Sequence, residues 1–222
     1  MSTERLWPTP GDMPTIVPVF PVAEALLLPR GQLPLNVFEP RYMAMVDDAL
    51  RSNRFIAMIQ PLNEPGPSPI SPMLAPIGCV GRITQFAETR DARYVVTLSG
   101  VARFRIVSEQ SVLTPYRQCE VDYSEFVRDF DPRSGEEDVD REGVLRALRD
   151  FANATKLEID WEGINSAHNE ALINALAMMS PFGAREKQAL LEAPDLKTRA
   201  QVLIAITDFE LAAGEVGSSS LQ

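Results

Sequence analysis

LPLNVFEPRYMAMV, residues 33–46, joins an extended half to a helical half across a single Pro-Arg-Tyr step. The first half is β-branched and aromatic, which favours a strand. Pro34 cannot donate a ladder hydrogen bond and pushes that strand toward an edge or a bulge. Pro40 suits the first turn of a helix, where its missing N–H is no loss, and Glu39 just before it favours the positive helix end. Met43, Val46 and Leu50 then recur at helical spacing as an apolar stripe fit to lie on a sheet, with Asp47, Asp48 and Arg51 turned away. None of these residues is an obvious catalyst.

Strand candidates surround this segment: TIVPVF (15–20), RFIAMIQ (54–60), IGCVGRITQFAE (77–88), RYVVTLSG (93–100), VARFRIV (101–107) and YRQCEVDY (116–123). With residues 33–38 they make seven. Gly100 separates two runs that would otherwise form one overlong strand, so a bulge or sharp bend is expected there. Pro18 is expected to act on its strand as Pro34 does. The pattern predicts a curled, partly closed sheet with one early helix. Residues 61–76 hold six prolines, which exclude helix and ladder strand. Met73 and Leu74, near the end of that loop, either tuck back onto the sheet or offer an apolar surface for peptide contact.

After Tyr123 the texture changes to an acidic, turn-rich connector and then to Ala/Leu/Glu-rich sequence. Helices are predicted over 137–156, 166–179, 184–193 and 196–212. Val144, Leu148 and Phe151 form the stripe of the first, and Leu172, Leu176 and Met179 that of the second. Pro181 and Pro194 end helices, and Asp195 caps the last one. The layout is a leader (1–14), a β domain (15–127), a helical domain (137–213) and a flexible tail (214–222).

The chain has 222 residues and a formal charge of −10, unevenly placed: residues 1–127 carry 11 Lys/Arg against 13 Asp/Glu, residues 128–222 carry 10 against 18. Binding to a phosphate backbone draws on Lys and Arg replacing condensed counterions, so nucleic acid is not an expected partner. The first residues lack a basic region followed by an apolar stretch, and no run approaches 18 apolar residues. A soluble, cytoplasmic protein with no membrane partner is expected. Cys79 and Cys119 are expected as reduced core thiols.

Motifs for chemistry are missing. There is no G-x-x-x-x-G-K-[ST] and no strand-linked G-x-G-x-x-G. His168, the only histidine, has no G-x-S-x-G nucleophile elbow to serve and reads as a surface or cap residue. One histidine and two separated cysteines leave no zinc-type spacing. The run of Glu136, Glu137, Asp138, Asp140 and Glu142 lacks the pattern of a calcium loop and reads as a solvated face. No catalytic residue, metal or cofactor is assigned.

One combination is more specific. VPVFPVAEALLLPRGQLPLNVFEPRYMAMVDDAL (17–50), IGCVGRITQF (77–86) and VVTLSGVARFRI (95–106) together resemble the N-terminal substrate-recognition domain of Lon proteases and the related domain of cereblon. The shared signature comprises the LPRG corner at 28–31, Pro34 and Phe38 through Tyr42, the Gly-x-x-Gly of Gly78 and Gly81, and the Gly-x-x-Arg-Phe of Gly100, Arg103 and Phe104. EKQALLEAPDLKTRAQVL (186–203) looks like the helical part that follows the sheet in Lon.

The resemblance implies an α+β fold, a twisted PUA-like pseudo-β-barrel followed by a helical bundle. It also implies recognition of unfolded or degron-bearing polypeptides, as an aid to a protease or chaperone, rather than cleavage. The ATPase and Ser-Lys protease domains of full-length Lon have no counterpart in this sequence. Under that resemblance Phe38, Arg41 and Tyr42 fix the strand-to-helix corner, with direct ligand contact as the other option. The competing functions are an enzyme using an unrecognised carboxylate or thiol site and an RNA-binding module.

Overall fold

The computed structural model describes residues 8–62, 72–156 and 158–219, the last seven as backbone alone. Six strands form one sheet: β1 (Ile16–Pro21), β2 (Gln32–Val37), β3 (Phe55–Ile59), β4 (Ile77–Glu88), β5 (Tyr94–Glu109) and β6 (Gln118–Asp122). Their order is β2-β5-β4-β3-β1-β6, and β6 also pairs with β5. Five strands therefore close on themselves while β2 hangs from β5 as a flap, which makes the sheet a pseudo-barrel. All five ring strands contribute to one buried cluster, through Val19, Ala57, Val80, Phe104 and Cys119 among others. A larger cluster lies on the outer face, where α1 (Pro40–Arg51) and the helices of the second half cover the sheet.

The chain shows six strands where seven are expected, because residues 93–100 and 101–107 belong to one strand of 16 residues. Gly100 marks a bulge within it: Gly81 pairs with Gly100 and Val80 with Ala102, leaving Val101 extra. The bulge lets β5 pair with β2 in its first half and with β6 in its second, so it carries the closure of the barrel. Pro34 lies on an edge strand as its chemistry requires. Pro18 does not: β1 is interior, between β3 and β6. It sits where the strand changes partner, pairing with Gln118 just before the parallel β3 register begins at Val19, so its missing donor interrupts neither ladder.

In α1 the buried stripe is Tyr42, Met45, Val46 and Ala49, with Met43 and Leu50 at its margins. The second half contains α2 (Arg141–Thr155), α3 (Trp161–Ser166), α4 (Asn169–Met179), α5 (Ala184–Glu192) and α6 (Leu196–Ser219). Asp195 caps α6 through the Thr198 N–H at 2.7 Å. The short α3 goes beyond the sequence expectation; Asp160 caps it by accepting the Gly163 N–H at 3.1 Å. Met179 leaves its expected stripe and is 83% exposed, while Leu172, Ile173 and Ala177 face the core. With no proline after Pro194, α6 continues past 212 into the stretch expected as a tail. The connector is pinned by a 3-10 turn, Ser124–Phe130, that buries Phe126 and Asp129. No helix among the described residues is long and apolar enough to cross a membrane.

Candidate recognition cleft

The LPRG corner crosses β5 at Gly100. The Gly100 N–H donates to Gly31 O at 2.8 Å and the Arg30 N–H to Gly100 O at 2.7 Å. A Cβ on Gly100 would fall onto the Leu28 carbonyl, so only glycine admits this crossing. Two other signature glycines work the same way. A Cβ on Gly78 would lie 2.5 Å from the Phe104 ring, and one on Gly81 2.7 Å from Leu27. The spacing thus encodes slots for neighbouring side chains and backbone.

Arg30 holds a left-handed φ of 64°. Its guanidinium pairs with Glu170 on α4 and donates to Asp129 O at 2.6 Å. Asn174, also on α4, donates to Pro29 O at 3.0 Å. The corner is thereby tied to α4, and between them lies a cleft of about 330 Å³. Arg30, Gln32, Glu136 and Glu170 line it on the polar side, Met178 and Met179 on the apolar side. Met178 lies against Gly31.

The charges in the cleft answer one another. Glu170 accepts from Arg30 and from the Arg133 N–H, the latter at 2.8 Å. Glu136 accepts the Glu170 N–H at 2.9 Å and pairs with Arg133 at 2.6 Å. Burial alone would raise the Glu136 carboxyl, but the Glu170 N–H and Arg133 outweigh it and hold it below the usual range. A carboxylate so engaged is poorly placed to take a proton from a substrate. His168 borders the cleft as the N-cap of α4, exposed and making no cap bond with its side chain.

Met73 and Leu74, the sequence candidates for peptide contact, are not among the residues lining this cleft. They part company: Leu74 bridges Pro61 and packs against the barrel cluster, whereas Met73 is 43% exposed. The other loop residues between them and Pro61, from 63 to 71, lie outside the described residues. The strand-to-helix corner also divides. Tyr42 is buried with its ring 4.3 Å from that of Phe20, and Arg41 lies over it at 4.5 Å while pairing with Glu39 at 2.8 Å. Phe38 instead is 62% exposed, because Val37 takes the inward position at the end of β2.

Cys79 and Cys119 are free and buried in different clusters, one on the outer face of the ring and one inside it. Burial pushes both thiols up, Cys119 to about 11. No group of His, Cys, Asp or Glu among the described residues could hold a metal ion. The sequence draws attention to the LPRG corner, Glu136 and His168 separately but does not bring them together as one cleft. Met179 was assigned to the core, and Glu170 and Met178 carry no signal of their own until α4 is docked on the LPRG corner.

Comparison with known proteins adds a family. Residues 16–208 match the ATP-dependent protease La (LON) substrate-binding domain. The chain is 28% identical over 203 residues to Lon protease 2 of Myxococcus xanthus, covering 88% of this chain and 24% of that protein. Against Lon protease 2 of Sorangium cellulosum the identity is 28% over 206 residues, covering 88% and 25%. The chain therefore spans about a quarter of the length of these curated relatives. In fold it is similar to a Lon N-terminal domain protein from Xanthomonas campestris (TM-score 0.62, 24% identity, 86% of this chain and 98% of that one). It is also similar to the N-terminal domain of Mycobacterium avium complex Lon protease (TM-score 0.64, 21% identity, 87% and 98%).

Proposed function

This chain belongs to the ATP-dependent protease La (LON) substrate-binding domain family, and on that premise we propose that it recognises polypeptides without transforming them. Unfolded or degron-bearing chains are the substrate class, and delivery to a protease or chaperone is the use. The observation that carries this is the cleft: its ionic groups are consumed by one another, while Met178 and Met179 offer a soft, adaptable apolar rim. Methionine suits a surface that must accept many different apolar side chains.

A second feature supports an extended ligand. Gln32 lines the cleft and is also the first residue of β2, which pairs only with β5 among the described residues. A polypeptide placing an apolar side chain against the methionines would run beside an open strand edge, a common mode of peptide capture. Pro34 removes one donor from that edge and limits how far such pairing extends.

The test is fluorescence anisotropy with a labelled, unstructured apolar peptide. Met179→Glu, at a site that faces solvent, is expected to weaken binding roughly tenfold, about 1.4 kcal/mol, with unchanged circular dichroism. Unaltered affinity would move the site elsewhere, and failure to bind any such peptide would remove the recognition reading. Casein incubated with the purified chain, with or without ATP, is expected to stay intact.

A further inference from the structure

A separate, smaller cavity of about 80 Å³ lies behind the LPRG corner, at the N-terminus of the 24-residue α6. Arg30, Arg103 and Arg199 line its inner part, Arg128 and Lys197 its exposed mouth. Buried charges are normally paired, and an unsatisfied buried donor calls for an explanation such as a bound ion or water. Arg199 breaks the pattern. It is 4% exposed, and its Nη2 has no hydrogen-bond partner among the described residues. Its other contacts are neutral oxygens, Leu190 O and Asn174 Oδ1, each at 3.0 Å.

Three of the four carboxylates nearby are already committed. Asp129 gives Oδ1 to Arg103 Nη2 at 2.8 Å, and its Oδ2 accepts from Arg103 Nε and the Arg103 backbone N–H, each at 2.9 Å. Glu170 is taken by Arg30 and the Arg133 N–H. Asp195 caps α6, and Asp138 stands at the rim. Five cationic side chains thus line the cavity against four carboxylates. The first turn of a long helix adds further preference for negative charge. Burial, and next the neighbouring Arg103, depress the Arg199 guanidinium to about 10, outweighing the opposing pull of Asp129.

We propose that this cavity is a binding site for a small oxyanion of the phosphate or sulfate class, held by Arg199, the exposed Arg128 and Lys197, and the start of α6. A volume of about 80 Å³ exceeds what a single water needs and is enough for one tetrahedral oxyanion. The site adjoins the peptide cleft, with which it shares Arg30 and Glu170, but Arg128, Lys197 and Arg199 line this cavity alone.

The experiment titrates the purified chain with inorganic phosphate from 0.1 to about 20 mM against chloride at matched ionic strength, since non-specific salt stabilisation does not saturate at low millimolar concentration. Thermal melting and phosphorus NMR line width are the two readouts. A saturable rise in Tm with broadening of the phosphate line is expected. Both effects should vanish in Arg128→Glu/Lys197→Glu, whose substitutions sit at exposed positions and should leave the chloride Tm within a few degrees of wild type. O-phosphoserine titrated in parallel identifies the source: binding of phosphate alone assigns the site to the free ion, and equal binding assigns it to a phosphoryl group carried by another molecule. A chain that melts identically in phosphate and chloride overturns the proposal. So does a double variant that keeps the full phosphate response.

Discussion

Arg103 on β5 and Asp129 in the connector form a two-pronged ion pair with both side chains almost wholly buried, and the same guanidinium reaches Leu191 O at 3.0 Å and Ala193 O at 2.5 Å beyond α5. Its plane also lies 4.6 Å from the Phe126 ring. One side chain thus ties the barrel, the connector and the C-terminal end of α5 together. Asp129→Ala would leave Arg103 buried with its charge unanswered, and roughly 3–5 kcal/mol of stability should be lost. Replacing both partners by Met and Leu should recover a good part of that loss. Urea denaturation of wild type, Asp129→Ala and the Met/Leu double variant gives the comparison, and a near-neutral Asp129→Ala would contradict the tie.

Gly100 admits the LPRG corner at a place where any side chain would strike the Leu28 carbonyl. Backbone cannot swing aside as a flexible side chain can, so Gly100→Ala must shift either the corner or the β5 bulge. A cost of about 1–3 kcal/mol is expected, of the order seen when cores are overpacked. Gly11→Ala, with nothing within 4 Å, serves as the control and should melt close to wild type. Equal melting temperatures for both variants would show that the crossing tolerates a methyl group.

The sequence made the glycines, the strands and the Arg-Phe pair visible because each follows from local pattern: period-two apolar alternation, positions too tight for a Cβ, and proline punctuation. The partner of Arg103 was not visible. Asp129 lies 26 residues away in a stretch whose acidity suggested solvent, and only the 3-10 turn buries it. Phe38 parts from Tyr42 at the corner for a local reason: strand alternation gives the inward position to Val37 and leaves Phe38 exposed. The cleft escaped altogether, since it exists only once α4 docks on the LPRG corner, and no spacing along the chain encodes that contact.

Cys79 and Cys119 offer a clean check on whether thiol chemistry belongs to this protein. Both are buried, and burial raises both thiols, so neither carries appreciable thiolate at pH 8. Iodoacetamide should modify the native chain far more slowly than the urea-unfolded chain, by at least about a hundredfold if access requires global opening. Rapid native labelling at either position would reopen a thiol-based activity.

Acid should weaken the fold from the helical side. The Thr198 N–H holds the Asp195 carboxyl below its ordinary value, and Glu136 is likewise depressed despite its burial. In the unfolded chain these groups titrate near 3.9 and 4.3, so on acidification the unfolded state takes up their protons first. Their contribution is therefore complete above about pH 5 and drains away as pH falls through the depressed native values. Melting temperature should be flat from about pH 5 to 7 with respect to these two groups and decline below about pH 4.3. Asp195→Asn keeps a good cap residue without the charge, and with Glu136→Gln it should lower stability at neutral pH while flattening the acid limb. An acid limb as steep in the double variant as in wild type would assign the acid sensitivity to other carboxylates.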